Sequence, residues 1–234
     1  MSSSLSGSQS LSSIPGFDPR LAPLVGVDSH LPSVAQQALL PQALERRFMT
    51  PPSWTPESLT EMRFSQRQAA PASVLVPLVM RDHVTVLLTQ RAAHMSTHSG
   101  QIAFPGGRVD KEDLDASATA LREAHEEVGL EAQHVRVIGT LPIYTTGSAF
   151  VITPVVALVQ PGFRLNPNAY EVDDVFEVPL QFLMDPANHR RHAIEWNGQT
   201  RHWYAMPYMD GVKERFIWGA TAGMLRNLYR FLSA

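Results

Sequence analysis

The segment "REAHEEVG" places Arg122, Glu123, Glu126 and Glu127 on one short stretch that ends at Gly129. On a helix of 3.6 residues per turn, Glu127 lies about 40° from Glu123, and Glu126 about 60° to the other side, so the carboxylates share a face. Ala118, Leu121 and Val128 fall roughly opposite and predict a core-facing stripe. Acidic groups at a helix C-terminus oppose its dipole and repel one another, so a positive charge from outside is expected to compensate. The plain alternative is a solvated acidic face in which Arg122 pairs with Glu126 four residues on. The upstream "FPGG" favours chemistry: Gly106 and Gly107 permit close backbone approach and can bring a carbonyl oxygen beside the start of the helix. Hard oxygen donors without thiolate are what Mg²⁺ or Mn²⁺ selects, and Mg²⁺ commonly shares its shell with substrate phosphates. The expected metal ligands are Glu123, Glu127 and Glu126, the last sharing or bridging, with Gly107 as the backbone donor and Mg²⁺ or Mn²⁺ as the cofactor.

These groups need a frame. "ASVLVPLVM" and "HVTVLLTQR" are β-branched runs that predict a hairpin. A loop rich in Gly, His and Ser follows, then the helix "ASATALREAHEEV", stopped by Gly129 as a left-handed cap. "HVRVIGTLPI" and "FVITPVVALV" predict strands, "VFEVPLQFLM" a strand turning into a short helix, and "HWYAMPYM" another strand. "FIWGATAGMLRNLYRFL" predicts a terminal helix with a broad apolar face. Strands dominate with two substantial helices between them, the pattern of an α/β fold in which helices cover a sheet. Ahead of this domain, taken as residues 71–232, a Ser-rich disordered tail is expected over 1–30. A helical extension and linker is expected over 31–70, split into two short helices by Pro41 and followed by another short helix from Glu57 to Gln68.

Composition narrows the function classes. The chain has 234 residues, 44% hydrophobic and 18% charged, enough for one sizeable core. A formal charge of −3 gives no support to nonspecific nucleic-acid binding. Cysteine is absent, which excludes disulfides and thiolate nucleophiles or ligands. No apolar run is long enough for a membrane span, and the N-terminus lacks a basic start and an apolar signal core, so a cytoplasmic protein is expected.

The stretch "GGRVDKEDLDASATALREAHEEVGL" resembles the Nudix box, matched at Arg122, Glu123, Glu126, Glu127, Gly129 and Leu130. Its first half departs: counted from Gly107, the expected glutamate is Asp113, with one extra residue before Arg122. Glu112 and Asp115 are rivals, and none is assigned to metal. "LLTQRAAHMSTHSGQIAFPGG" is similar to the extended signature of the coenzyme A pyrophosphatase branch, except that Ser96 stands where that signature has arginine. "NAYEVDDVFEVPL" and "FIWGATAGML" also resemble later segments of that branch, so the likeness covers about residues 75–225.

The resemblance implies an α/β/α sandwich with a mixed sheet. It also implies cleavage of coenzyme A within its pyrophosphate to 3′,5′-ADP and 4′-phosphopantetheine, and a possible homodimer. Divalent ions held by the glutamates would screen the pyrophosphate's charge and orient it. Arg122 would orient the glutamates, and the general base would be one of them or Glu171 in the later loop. Arg91, Arg108 and His98 are candidates for substrate contact, each balanced by a plain structural role. Asp173 and Asp174 read as a solvated turn, and His125 as structural on the packed side. Phe216 and Trp218 are expected in the core or a dimer contact rather than stacked on adenine. Two competing functions remain: hydrolysis of another nucleoside diphosphate derivative (ADP-ribose, NADH, a dinucleoside polyphosphate), for which Ser96 speaks, and a nucleotide-sensing module that does not cut. The intact glutamates argue against the second.

Overall fold

The computed structural model describes residues 17–57, 68–95, 98–196 and 198–234. Ser96 and the expected helix beyond Glu57 lie outside them. Strand β1 (Leu24–Val27) is followed by a 3-10 turn at Gln36–Leu39 and helix α1 (Pro41–Met49). The structureless tail expected up to residue 30 is therefore corrected: β1 pairs with a distant strand through Leu24, Gly26 and Val27. Pro41 opens α1, where its missing N–H is no loss, so the two short elements form on either side of residue 40.

The expected hairpin is β2 (Ala70–Met80) and β3 (Val84–Arg91), antiparallel with Leu78 opposite Val86 and Met80 opposite Val84. The long loop carries two short strands, β4 (Ile102–Ala103) and β5 (Gly106–Arg108), which pair with β3 and β2. Helix α2 (Ala116–Val128) has the span read from its periodicity. Asp115 caps its first turn through Ala118 N–H, and Gly129 closes it at φ 71°. Strands β6 (Val135–Thr140), β7 (Tyr144–Thr145), β8 (Phe150–Val159) and β9 (Val172–Pro179) complete this sheet, and β9 runs into the single turn α3 (Leu180–Leu183). The sheet is mixed, with β8 parallel to β2 and the other pairs antiparallel.

Both faces of β2 are covered, as its unbroken buried run requires. Leu75 and Val79 pack with Ala120, Ala124 and Val128 of α2. Val74, Val76 and Leu78 point the other way, into a larger cluster with Met224, Leu225 and Leu228 of the terminal helix α4 (Gly219–Leu232). This is the expected α/β/α sandwich.

A second sheet is the main feature absent from the sequence reading. Strands β10 (Arg190–Trp196), β11 (Gln199–Asp210) and β12 (Lys213–Trp218) join β1 in the antiparallel order β1-β10-β11-β12. The terminal helix expected from Phe216 starts three residues later. Phe216–Trp218 belong to β12, and Gly219 at φ 62° turns the chain into α4. Among the described residues no helix is long and apolar enough to cross a membrane.

Candidate active site

Arg122 organises the acidic face of α2. Its Nε and Nη2 donate to the two oxygens of Asp113 at 3.0 and 2.9 Å. Nη1 donates to Glu123 and to Glu126, both at 2.9 Å, and Nη2 also reaches the Arg108 carbonyl at 3.0 Å. The guanidinium beside Asp113, helped by the Asp110 N–H, holds that carboxyl far below the usual range. Asp113 is thus the anchor of Arg122, whose guanidinium in turn bonds Glu123 and Glu126.

The carboxylates differ in setting. Glu127 is 4% exposed, accepts from Gly106 N–H at 3.1 Å and lies 3.7 Å from Arg91 Nη1. Burial pushes its carboxyl up to about 7, and the charges of Glu123 and Glu171 add to the rise. Burial likewise raises Glu123, with Glu126 and Glu171 repelling and Arg122 opposing. Glu126 is half-exposed in its ion pair with Arg122. The packed stripe of α2 is also rotated from the expected one: Ala120, Ala124, Glu127 and Val128 are buried, whereas Ala118 is partly open and His125 is exposed, which corrects the placement of that histidine on the packed side.

Gly107 shows why glycine stands there. A Cβ on it would sit 2.5 Å from both Glu123 carboxylate oxygens, and one on Gly106 would meet the Ser73 carbonyl at 2.5 Å. The pairing of β5 with β2 sets these glycines against the helix face.

A cleft of about 1040 Å³ opens over this face, bordered by Glu123, Glu127, Glu171, Gly107 and Arg91. His98 and Arg108 border it too, whereas Glu126 does not. The loop after β3 is clamped by Arg91 N–H to the Gln101 carbonyl at 2.9 Å. His98, at φ 56°, is bonded to Gln101 at 2.9 Å, and burial lowers its pKa, so it braces the loop as well as facing the cleft. Arg91 Nε is buried without a partner among the described residues, and Arg108 lies over the Phe150 ring at 5.3 Å. Glu171 holds the Asn168 amide at 3.1 Å. Its acidic neighbours are structural: Asp173 accepts from Ala93 N–H, and Asp174 pairs with Lys213 and Arg215.

Among the described residues no three acidic or imidazole side chains form a ready-made cation cage. The donor set nevertheless suits a hard divalent ion. Glu123, Glu127 and Glu171 border the cleft, and the first two are held above their ordinary pKa by burial and neighbouring negative charge, an excess that a divalent cation would neutralise. The sequence reading missed a further part of the cleft wall, where Arg201, Trp203 and Tyr204 border it. Its strand β11 had been visible only as "HWYAMPYM", with no signal for where it would pack.

The chain matches the NUDIX domain over residues 69–204. It is 41% identical over 164 residues to "Uncharacterized Nudix hydrolase NudL" of Enterobacter sp. (strain 638), covering 70% of this chain and 82% of that protein. The protein of the same name in Pectobacterium atrosepticum is 42% identical over 163 residues, covering 70% of this chain and 81% of its own length. Among solved structures, the Nudix hydrolase RenU of M. smegmatis is similar at a TM-score of 0.40 and 26% identity, over 51% of this chain and 78% of that one. With more than half of its length inside the domain match and relatives of this identity, the chain belongs to the Nudix hydrolases, which cleave nucleoside diphosphate derivatives and generally use divalent metal ions.

Proposed function

We propose that this protein is a Mg²⁺- or Mn²⁺-dependent coenzyme A diphosphatase that releases 3′,5′-ADP and 4′-phosphopantetheine. The observation that carries the reading is the shape of the cleft. At about 1040 Å³ it stands at the upper end of small-molecule sites, and the glutamates occupy one wall of it. A substrate with a large group on each side of its anhydride fits such a space. The likeness of the β3 loop to the coenzyme A pyrophosphatase signature supports the same choice.

When bound, the divalent ion supplies charge screening and Lewis acidity. Glu123 and Glu127 would hold it, with Gly107 contributing backbone oxygen and Glu126 sharing or bridging. Arg122, fixed by Asp113, keeps Glu123 in place. Arg91, beside Glu127, and Arg108, which also borders the cleft, meet the phosphates. Glu171 takes the proton of the attacking water, because Glu123 and Glu127 are already committed to Arg122, Gly106 and Arg91, whereas Glu171 is held by one amide.

Ser96, at the branch's arginine position, favours a second reading within the same chemistry, with another nucleoside diphosphate derivative as substrate. Incubation with coenzyme A, NADH, ADP-ribose and diadenosine polyphosphates, each with Mg²⁺ and with Mn²⁺, separates the two. Chromatographic release of 3′,5′-ADP from coenzyme A at the highest kcat/KM supports the first. Faster cleavage of another compound replaces it with the second.

A further inference from the structure

Part of the cleft wall belongs to the second sheet, and it brings cationic and aromatic side chains to the same cleft as the glutamates. Arg201 and Trp203 alternate on β11, both border the cleft, and they are only 8% and 9% exposed. Arg191 of the adjacent β10 borders it beside them, held through Nε by Asp28 at 3.1 Å. Trp203 is fixed from several directions. It stacks on His192 with ring centroids 6.0 Å apart and meets Trp218 and Phe17 edge-on at 6.1 and 5.9 Å. Its indole N–H is nonetheless buried with no acceptor among the described residues. Buried donors are seldom left in that state without a ligand or a water to satisfy them.

The inventory of this wall specifies its ligand. A guanidinium and an indole can donate hydrogen bonds and cannot accept them, and the guanidinium stays charged at any working pH. The matching group must bring acceptors and negative charge, next to a flat ring surface that an aromatic wall can cover. The anhydride itself belongs with the glutamates and their cation. A second anionic group, separate from the scissile one and carried on a nucleoside, meets both conditions.

We propose that the Arg201–Trp203 segment of β11, with Arg191 beside it, is a subsite for a phosphomonoester on the nucleoside end of the substrate. This deepens the coenzyme A reading and rests on it, since that substrate carries a ribose phosphate remote from the bond that is cut. Arg201 donates to the phosphate, and the Trp203 N–H donates to the same phosphate or its ribose oxygens. The subsite thereby selects nucleotides by a group that takes no part in the reaction.

Calorimetry on the wild-type protein with Mg²⁺ tests this directly with two probes, 3′,5′-ADP and 5′-AMP, which differ only in the 3′-phosphate. One charge-assisted contact makes 3′,5′-ADP bind roughly tenfold tighter or more. Arg201→Gln should bring the two affinities together, and Trp203→Phe should narrow the gap while keeping the ring. Equal affinities in the wild type overturn the subsite, whatever the variants do. A tenfold preference that survives Arg201→Gln in a protein with unchanged circular dichroism overturns it as well. The outcome is separable from the substrate reading: a preference for 3′,5′-ADP without coenzyme A hydrolysis keeps the subsite and removes that reading. Hydrolysis without the preference does the reverse.

Discussion

Glu127 is where burial and charge meet most sharply. In metal-free protein its carboxyl titrates at about 7 instead of 4.5, chiefly because it is buried and then because Glu123 and Glu171 repel it. A carboxyl raised in this way leaves stability intact below 4.5 and removes it as pH rises toward 7, by at most about 3 kcal/mol. Glu127→Gln should therefore keep or raise the melting temperature of metal-free protein at pH 8, read by calorimetry. The same variant should lose about a thousandfold or more in kcat, the equivalent of several kcal/mol of metal-assisted stabilisation. Asp113 acts one step removed, through Arg122. Asp113→Asn should weaken the apparent Mg²⁺ activation constant roughly tenfold to a hundredfold with the fold intact, as loss of a group supporting a metal ligand does. An unchanged Mg²⁺ dependence of the rate would remove Asp113 from the positioning role.

At the scale of elements, the site is made by one helix meeting one glycine pair. Gly107 lies under Glu123 with no room for a methyl group, so Gly107→Ala should push the carboxylate out of place. Activity should fall by orders of magnitude while far-ultraviolet circular dichroism stays the same. Residual activity near that of the wild type would show that Glu123 does not need this position. The helix, its Gly129 stop and the β2–β3 hairpin were legible in the sequence because each follows from a local rule: a 3.6-residue period, a left-handed cap, and two β-branched runs around a turn. The second sheet was not. "RRHAIEW" carries charged and polar residues through a strand, and His192 is buried there against Trp203 and Phe216 and bonded to the Ala22 carbonyl, which is 170 residues away in the chain. The rotated stripe of α2 was equally hidden. Small alanines set its contact with the sheet, which draws Glu127 inward and leaves Ala118 and His125 outside.

At the scale of the molecule, the chain ahead of residue 70 is tied to the far end by a buried ionic knot. Arg226 of α4, 2% exposed, reaches Asp28 at 3.0 Å, Glu57 at 2.7 Å and His189 Nδ1 at 3.0 Å. Arg226→Met would leave Asp28 to Arg191 and Glu57 to Tyr204 and Arg230, and should cost about 3 kcal/mol in urea denaturation, the low end for a broken buried pair. With Arg226 donating to Nδ1 and Nε2 bonded to the Leu183 carbonyl, His189 is neutral, and burial first, then the Arg226 charge, lower its pKa to about 4. The unfolded chain takes up that proton near 6.5 and the folded one only near 4, so stability is full above 6.5 and is lost as pH falls toward 4. The loss is about 3 kcal/mol by the shift, and His189→Gln should flatten the pH dependence of the urea midpoint across that window. None of these residues carries a sequence signal, since an arginine, a histidine and two acids scattered over the chain read as surface.

The proposed function rests on one arrangement, a negative helix face that would bring a hard cation up to a phosphoanhydride. Titration of the metal-free protein with Mn²⁺ by calorimetry, beside a Glu123→Gln/Glu127→Gln double variant of unchanged helicity, tests it most directly. The account predicts saturable uptake by the wild type that is abolished in the double variant. Equal uptake by both proteins would contradict it.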